Sequence, residues 1–413
     1  MSETIGDIHV ATIDCGMTVL VQPMPWLRTA AFTLAIPAGV SSEPADRLGL
    51  ASMVCEMVQR GAGSYSSRDL VAVQDRLGID RHSGASASMT SYSATMPADS
   101  LADAMSIHAD ILRRPHLPID QLDDARMMAI QELRAAEDEP TVQLMDRLRI
   151  RQYGDVLGRN AIGDDAGLAA ITSDDIRDYY TRQYHGGGSI LGVAGLVDPD
   201  QVFGWAESHF GDWKTGPIPT PPEPDGQPGY ESIESPSAQT HIGFSYPTIP
   251  YSHDDYFNMR AGLGILSDGM SSRLFDRVRE QRGLCYSVSA SVNHLGQTAA
   301  VFGYAGTTPA RAQETLDVTL REMASLCDGL CDEELDRWKV RIESSLVMEQ
   351  ESSASRASSL VADQFQMGRP QTTDELRGLI DGLTLDGVRD YWTTHPPADH
   401  RIVTLGPEPL KTH

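Results

Sequence analysis

A segment rich in proline and glycine near the middle of the chain limits its possible architectures more than any other feature. Of the 413 residues, those from Lys214 to Pro236 include seven prolines and three glycines. Proline fixes φ and removes an N–H donor, so a run of this kind predicts an extended and exposed linker. We therefore predict an N-terminal domain at residues 1–214, a linker at 215–236 and a C-terminal domain at 237–413.

The two halves on either side of this linker resemble each other. The segment Thr-Ser-Asp-Asp-Ile-Arg-Asp-Tyr-Tyr begins at Thr172, and Thr-Leu-Asp-Gly-Val-Arg-Asp-Tyr-Trp begins at Thr384. They start 384 − 172 = 212 residues apart, and an apolar run that ends in glycine follows each of them. Each predicts a helix with an N-terminal Thr or Ser cap and then a strand. A match at an offset of about half the chain favours a duplication.

Strand and helix patterns are mixed within each half. In the first half, strand patterns cover residues 29–38 and 86–96, and helical spacing covers 49–60, 101–112 and 120–137. We therefore predict an α+β fold of two duplicated domains, each a mostly antiparallel sheet packed with helices.

Charge and cysteine usage narrow the function and the compartment. The formal net charge is −25, which repels nucleic acid and anionic lipid. Such a charge would attract basic peptides, but acidic surfaces mostly serve solubility. No stretch has the length and apolarity of a membrane span, and residues 1–10 lack the pattern of a secretory signal. The five cysteines are scattered and odd in number, which favours a reducing compartment. We therefore expect a cytoplasmic protein without a nucleic-acid or membrane partner.

The predicted helix at residues 49–60 has two distinct faces. One is an apolar stripe of the kind that packs on a core. The other has polar or reactive side chains at positions i, i+3, i+4 and i+7, namely Ser52, Cys55, Glu56 and Gln59. A nucleophilic role for Ser52 or Cys55 would need a neighbouring base with an orienting third group, and the nearby sequence offers none.

The predicted helix at residues 120–137 places a carboxylate in an apolar stripe. Leu122, Ala125, Ala129, Glu132 and Ala136 follow a 3-4-3-4 spacing. A buried carboxylate needs a partner or a metal, because burial of an unpaired charge costs several kcal/mol. The alternative is that Glu132 lies at the edge of the helix and reaches water.

A glycine-rich segment in the second half predicts a loop that another chain can approach closely. Gly262, Gly264 and Gly269 precede Ser-Ser-Arg-Leu-Phe at residues 271–275. Glycine permits unusual φ/ψ values and exposes backbone N–H groups, which makes Gly269 a candidate substrate-binding residue. The segment lacks the third glycine of a dinucleotide loop and the lysine of a P-loop.

The segment Gly-Leu-Ala-Ser-Met-Val-Cys-Glu-Met at residues 49–57 resembles Gly-Leu-Ala-His-x-x-Glu-His of the pitrilysin family. In this family of inverted zinc peptidases, which includes the mitochondrial processing peptidase, the two His bind zinc and the Glu is the general base. The resemblance implies a processing-peptidase/LuxS-like metallohydrolase fold. It aligns Ser52 with the first His, Cys55 with the Glu and Glu56 with the second His. Glu132, which is 132 − 56 = 76 residues further on, falls at the third-ligand position.

This departure from the family pattern changes the expected chemistry. A catalytic zinc site needs three His or carboxylate ligands and an open water position. Ser52, Cys55, Glu56 and Glu132 supply no His and no base, so we expect no cofactor in this chain. An unorthodox metal held by Glu56 and Glu132 is the alternative.

Two further segments resemble the same family. Ser-Ser-Arg-Leu-Phe is followed by Val-Arg-Glu-x-x-Gly-Leu-x-Tyr, which implies that Arg279 and Tyr286 hold the substrate carbonyl and stabilise the oxyanion at a zinc. Gly84, Ala85 and Ser86 match the family's edge strand, which adds the substrate peptide as a further strand.

The resemblance implies a division of labour between two subunits. We predict a non-zinc-binding subunit of a heterodimeric zinc peptidase, whose homologous partner bears His-x-x-Glu-His and holds the zinc. The ligand would be a peptide, and the chain alone would be inactive. The alternatives are a purely structural subunit and a homodimeric peptide-binding protein without catalysis.

Overall fold

Two β-sheets organise the chain in the computed structural model, which describes residues 3–412. The strands are β1 (Glu3–Ile5), β2 (Ile8–Thr12), β3 (Thr18–Pro23), β4 (Thr29–Ile36), β5 (Asp80–Ala85), β6 (Thr90–Pro97), β7 (Ile190–Gly195), β8 (Gly229–Glu234), β9 (Thr240–Thr248), β10 (Cys285–Leu295), β11 (Thr298–Thr307) and β12 (Arg401–Gly406).

Helices separate several of these strands along the chain. The α-helices are α1 (Leu50–Met57), α2 (Ser67–Arg76), α3 (Leu101–Arg113), α4 (Leu122–Glu137), α5 (Pro140–Leu157), α6 (Asp165–Ala170), α7 (Ser173–Gln183), α8 (Pro199–Phe210), α9 (Tyr256–Ser267), α10 (Ala312–Ala324), α11 (Asp332–Glu349), α12 (Ser353–Met367), α13 (Thr373–Asp381) and α14 (Leu385–Thr394). There is also a π-helix at Leu274–Glu280, and short 3-10 turns lie at Val40–Ser42, Ala98–Ser100, Ile119–Gln121, Pro309–Arg311 and Ser325–Cys327.

Both sheets are mostly antiparallel. The first has the strand order β1-β2-β3-β7-β4-β6-β5, in which only β3 and β7 are parallel neighbours. The second has the order β10-β11-β9-β12-β8, in which only β12 and β8 are parallel. In each sheet the strand with the parallel neighbour also pairs antiparallel with a central strand, β4 or β9. The predicted α+β fold of two duplicated domains is therefore confirmed.

The repeated helix and strand form as the sequence predicts. Thr172 caps α7, because its hydroxyl accepts a hydrogen bond from the Asp175 N–H at 3.2 Å. Thr384 caps α14 in the same way, accepting from the Gly387 N–H at 3.1 Å. The strands β7 and β12 follow these helices and are buried along their whole length.

The chain divides into two compact units, each of which is assembled from several separate segments of the sequence. The first unit runs up to residue 135 and adds 159–221 and 346–373. The second has 136–158, 222–345 and the residues from 374 onward. Helix α5 of the first half thus belongs to the second unit, and α12 of the second half belongs to the first.

Helix α12 covers one face of the first sheet. Strand residues alternate between faces: Phe32 and its alternate neighbours on β4 belong to the core formed with α1, α3 and α7. Ala31 and Ala194, on the opposite face, pack against Ala357 of α12. A Cβ at Gly192 would lie 2.5 Å from the Ala357 carbonyl oxygen, so glycine there permits the close approach of the helix.

Helix α5 has the corresponding position in the second unit. It packs on β9 and β12. Leu144 and Leu148 are fully buried against Phe302 and Val403. The predicted linker has neither helix nor strand up to residue 228, and its last part forms β8, which pairs with β12. Across residues 3–412, no helix has both the length and the apolar character required to cross a bilayer.

Candidate functional site

Helix α1 begins at a buried carboxylate. Gly49 precedes the helix with φ +93°, a value that favours glycine. The Glu43 carboxylate accepts hydrogen bonds from the N–H groups of Gly49, at 3.2 Å, and Ala51, at 2.6 Å. These are first-turn donors without an intrahelical partner, so Glu43 stabilises the start of the helix. Burial raises the pKa of Glu43 to about 7, although these two N–H groups and Arg159 oppose the shift.

The polar face of α1 is engaged in contacts with its own unit. The Ser52 hydroxyl donates a hydrogen bond of 2.6 Å to the Ala161 carbonyl. Glu56 forms an i,i+4 ion pair with Arg60 at 3.0 Å. The Gln59 amide donates to the Ser83 hydroxyl at 2.9 Å, which ties α1 to β5.

Cys55 is part of the core rather than of an accessible site. Its side chain is 4% exposed. Burial raises the pKa of the thiol, and the hydrogen-bonding side chains of Tyr92 and Ser83 only partly oppose that shift. The Tyr92 hydroxyl itself lies 2.8 Å from that of Tyr184, so Cys55 adjoins a closed, buried hydroxyl pair. The thiol is therefore neutral and shielded, which is unfavourable for a nucleophile or a metal ligand.

Glu132 lies on α4 and faces a cleft of ≈ 550 Å³ between α1, α4 and β5. The cleft lining includes Ser52, Glu56, His82, Gly84, Met128 and Glu132. Glu132 is exposed although Ala125 on the same stripe is buried, so water solvates its carboxylate. Of the two sequence interpretations, the edge of the helix is the correct one.

The residues of this cleft do not fit a catalytic zinc. Ser52 is bonded to a carbonyl, Cys55 is a buried thiol, and Glu56 is paired with Arg60. Among residues 3–412, no group of three or more His, Cys, Asp or Glu side chains is placed to hold a metal ion. His82 lines the cleft but was not a candidate, because its position follows from the pairing of β5 and not from any motif.

Strand β5 forms the free edge of the first sheet beside this cleft. Gly84 and Ala85 lie in β5, and Ser86 follows directly. A Cβ at Gly84 would meet nothing within 4 Å, so the backbone there is open to another chain. An edge strand presents unpaired N–H and C=O groups, which can bind an extended peptide.

In the second unit, Arg279 and Tyr286 lie against each other. The Arg279 guanidinium carbon is 5.1 Å from the centre of the Tyr286 ring and 4.5 Å from that of Phe275. These distances are typical of cation–π contacts. Tyr286 is 83% exposed, whereas Arg279 is half-buried and lies 3.5 Å from the neighbouring Glu280 carboxylate.

Two irregular elements bring this pair together. Arg279 lies in the π-helix, whose Gln281 N–H donates to the Asp276 carbonyl five residues earlier. Tyr286 lies at a β-bulge of β10, between Cys285, which pairs with Thr307, and Ser287. π-Bulges and β-bulges both occur often next to functional sites, where they redirect side chains.

The segment before the π-helix is anchored by two ion pairs, one of which is buried. Arg273 is buried and forms two hydrogen bonds with the Glu334 carboxylate, at 2.7 and 2.6 Å. Asp268, next to Gly269, pairs with Arg260 at 2.7 Å and accepts from the Trp338 indole at 3.3 Å. Gly269 has φ +89° and lies in the loop between these anchors.

Two related units, one with a degenerate metal-site helix and the other with an arginine–tyrosine pair, define a metallopeptidase-like protein. A model of insulinase, peptidase family M16, matches residues 18–164, and a model of the peptidase M16 inactive domain matches residues 170–341. The chain belongs to peptidase family M16, the pitrilysin family.

Relatives over most of the chain bear the name of uncharacterized zinc proteases. One from Mycobacterium tuberculosis is 24% identical over 385 residues, which cover 91% of this chain and 88% of that protein. One from Bacillus subtilis is 23% identical over 399 residues and covers 96% and 97%.

Solved structures share the fold. A peptidase M16 inactive domain from Pseudomonas fluorescens superposes with a TM-score of 0.89 at 22% identity, over 98% of this chain and 100% of that one. A protease from Helicobacter pylori gives a TM-score of 0.88 at 19% identity, over 98% and 99%. These similarities confirm the predicted family and its fold.

Proposed function

We propose that this chain is the non-zinc-binding subunit of a heterodimeric zinc peptidase that hydrolyses or processes peptides. The contact between Arg279 and the exposed Tyr286 is the observation that carries the proposal. In this role the pair binds the substrate carbonyl and stabilises the oxyanion that forms at a zinc held by a partner. The partner is a homologous subunit with the sequence His-x-x-Glu-His.

The chemistry of the pair supports an oxyanion-stabilising role. A guanidinium and a phenol are both hydrogen-bond donors, and donors directed at developing negative charge lower the barrier. Stacking on Phe275 and Tyr286 restrains the Arg279 side chain without using its N–H groups. Among residues 3–412, no protein group bonds the Tyr286 hydroxyl, so it is available to a ligand.

The state of α1 supports the assignment of zinc to a partner. Ser52, Cys55 and Glu56 stand where the family has His, Glu and His, and the first two are engaged in packing or hydrogen bonding. A metal centre supplied by a second chain would provide the activated water that these residues lack.

The free edge of β5 supports a peptide as the ligand. Gly84, Ala85 and Ser86 offer backbone groups to an extended chain at the edge of the first sheet, where a Cβ at Gly84 would meet nothing within 4 Å. The substrate-binding role of Gly269 stays a prediction, because the Arg341 guanidinium lies 2.7 Å from its Cβ position. The net charge of −25 favours basic peptides. The five cysteines are all free, which suits the cytoplasm as the compartment.

The test uses the chain together with a homologue of the same family that carries His-x-x-Glu-His. We expect the mixture to cleave a quenched fluorescent basic peptide that neither chain cleaves alone. Arg279→Ala or Tyr286→Phe should lower kcat by about 30- to 1000-fold, because loss of one oxyanion donor costs about 2–4 kcal/mol. Zinc content of the partner should not change.

Arg321→Ala is the matched control, since Arg321 is an exposed arginine of α10 in the same unit. The control and both variants should assemble with the partner equally well and melt at similar temperatures. Turnover that survives both Arg279→Ala and Tyr286→Phe would contradict the catalytic role.

A peptide-binding subunit without a catalytic role is the second candidate, favoured by the open edge of β5. It predicts that the chain binds a peptide but does not stimulate a partner. Titration of the zinc-bearing homologue with this chain distinguishes the two, because only the first proposal predicts a rise in turnover that saturates at equal stoichiometry.

A further inference from the structure

A second cleft, of ≈ 450 Å³, lies in the second unit and is separate from the Arg279–Tyr286 pair. It is formed by the last turn of α9, the loop at residues 268–272 and one face of α11. Its lining includes Ile265, Asp268, Ser272, Arg337, Trp338 and Arg341.

The acidic side chains of this cleft are neutralised by neighbours. Asp268 pairs with Arg260 at 2.7 Å, and Glu334 pairs with the buried Arg273 at 2.6 Å. Asp336, the remaining acid of the lining, is exposed to solvent, where water screens its charge.

Two arginines of the cleft have no such partner. Arg337 and Arg341 are one turn apart on α11, and within residues 3–412 neither forms a salt bridge. The exposed Glu333, one turn before Arg337, interacts with it electrostatically, but water screens this interaction and leaves both guanidinium groups outside any salt bridge. Two guanidinium forks at this spacing suit a carboxylate, which each can bind through two parallel hydrogen bonds.

A buried hydroxyl without a partner marks the inner end of the cleft. Ser272 is 4% exposed, and its Oγ has no hydrogen-bond partner. An unsatisfied buried hydroxyl costs about 1–3 kcal/mol, which a ligand oxygen would recover. Gly269 lets Arg341 approach this loop, because a Cβ there would lie 2.7 Å from the guanidinium.

The floor of the cleft is apolar. Trp338 is buried against α9 at Gly264, where a Cβ would lie 1.8 Å from the indole nitrogen. Ile265 lies beside it, and Val340 at the rim is exposed. A carboxylate-binding site beside an apolar surface suits a peptide that has an aliphatic side chain next to a carboxylate group.

We propose that Arg337, Arg341 and Ser272 form a site for a carboxylate of a bound peptide, with the adjoining side chain on Ile265 and Trp338. The carboxylate comes either from the C-terminus of the peptide or from an acidic side chain. This inference rests on the proposed function in one respect, which is that the ligand is a peptide.

The test measures binding to the full-length chain alone by fluorescence anisotropy. The probes are a labelled pentapeptide that ends in leucine with a free carboxylate, the same peptide as the C-terminal amide, and the amide with glutamate before the leucine. Arg337→Gln and Arg341→Gln should each weaken binding of the carboxylate peptide about tenfold, and 0.5 M NaCl should weaken it further. Arg321→Gln, a matched exposed arginine of the same unit, should bind like wild type.

Ser272→Ala separates ligand binding from folding. Because its hydroxyl has no partner in the free protein, the variant should keep or raise the melting temperature and weaken binding about fivefold. Strong binding of the free acid alone assigns the C-terminal carboxylate, and strong binding of the glutamate amide assigns the side chain.

The site is wrong if all three peptides bind alike, if none binds, or if Arg341→Gln matches Arg321→Gln. The proposed function has its own failing result, which is that Arg279→Ala does not change turnover by the mixture with the partner. Each proposal can therefore fail without the other.

Discussion

The side chains that replace the zinc site on α1 have structural roles of their own. Ser52 bonds the Ala161 carbonyl, Cys55 is buried in the core, and Glu56 pairs with Arg60. The helical spacing predicted which of these residues share a face, because 3.6 residues per turn fixes that relation. It could not predict which side chains are engaged, because their partners Ala161 and Tyr92 come from distant parts of the chain.

Glu43 at the start of α1 should make stability depend on pH. Burial raises its pKa in the folded state to about 7 from 4.5, so the folded state binds the proton more tightly than the unfolded state between these values. The free energy of unfolding should therefore fall by about 3 kcal/mol as pH rises from about 4.5 to about 7, and then level off.

Urea unfolding of wild type and Glu43→Gln at pH 5.0 and 7.5 measures this effect. His108 has the opposite sign, since burial lowers its pKa to about 4, but its contribution is common to both proteins. We expect the difference in unfolding free energy between wild type and variant to change by about 2–3 kcal/mol between the two pH values. An equal difference at both values would contradict the assignment.

At the scale of elements, regular helices and strands were easier to predict than the irregular ones. The strand at residues 29–38 and the helices at 101–112 and 120–137 agree with β4, α3 and α4 within a few residues. The sequence did not predict the π-helix, because a turn closed by hydrogen bonds five residues apart has no residue pattern of its own, and the β10 bulge depends on the pairing with β11. Only the resemblance to the family predicted that Arg279 and Tyr286 act together.

The ion pair between Arg273 and Glu334 joins the start of the π-helix to α11. Arg273 also donates to the Ser325 carbonyl and hydroxyl, so its guanidinium is fully enclosed by acceptors. Glu334→Ala would leave this buried charge without its counter-ion, which costs about 3–5 kcal/mol. We expect a corresponding loss in urea-unfolding free energy.

Glu333→Ala is the control for this prediction, because Glu333 is the exposed neighbour on the same turn of α11. It should change stability by less than about 0.5 kcal/mol. The double variant Arg273→Met with Glu334→Leu should recover much of the loss, since apolar replacement of a buried pair is often neutral. Equal effects of Glu334→Ala and Glu333→Ala would show that the pair contributes little.

At the scale of the whole molecule, the duplication is visible in the sequence but the exchange of helices is not. The offset of 212 residues between Thr172 and Thr384 identifies two related halves, and the two sheets have the same arrangement around β7 and β12. In the structure, Leu144 and Leu148 of α5 and Ala357 and Leu360 of α12 form the apolar faces that are buried on the two sheets. These faces carry no information about which sheet each helix covers, because a hydrophobic face fits any apolar surface of suitable shape.

This exchange predicts how the protein responds to a cut in its linker. A protease site inserted between Pro221 and Pro222 falls where neither helix nor strand is interrupted. After the cut, α5 is on a different fragment from β9 and β12, and α12 is on a different fragment from β4 and β7. The packing of each helix on its two strands stays in place. We expect the nicked protein to elute as one species of unchanged size, because each fragment retains a helix that the other unit requires.

The fragments expressed separately should behave differently. Residues 1–221 alone would expose the face of the first sheet that Ala357 and Leu360 cover, and residues 222–413 alone would expose the face that Leu144 and Leu148 cover. Burial of each large apolar side chain contributes about 1.5–3 kcal/mol, so neither sheet has the core it needs. We expect each fragment to bind a hydrophobic dye and to aggregate, and co-expression to restore cooperative unfolding. If the two fragments fold separately as monomers, the proposed exchange of helices α5 and α12 is wrong. Dissociation of the nicked protein into two fragments would contradict it as well.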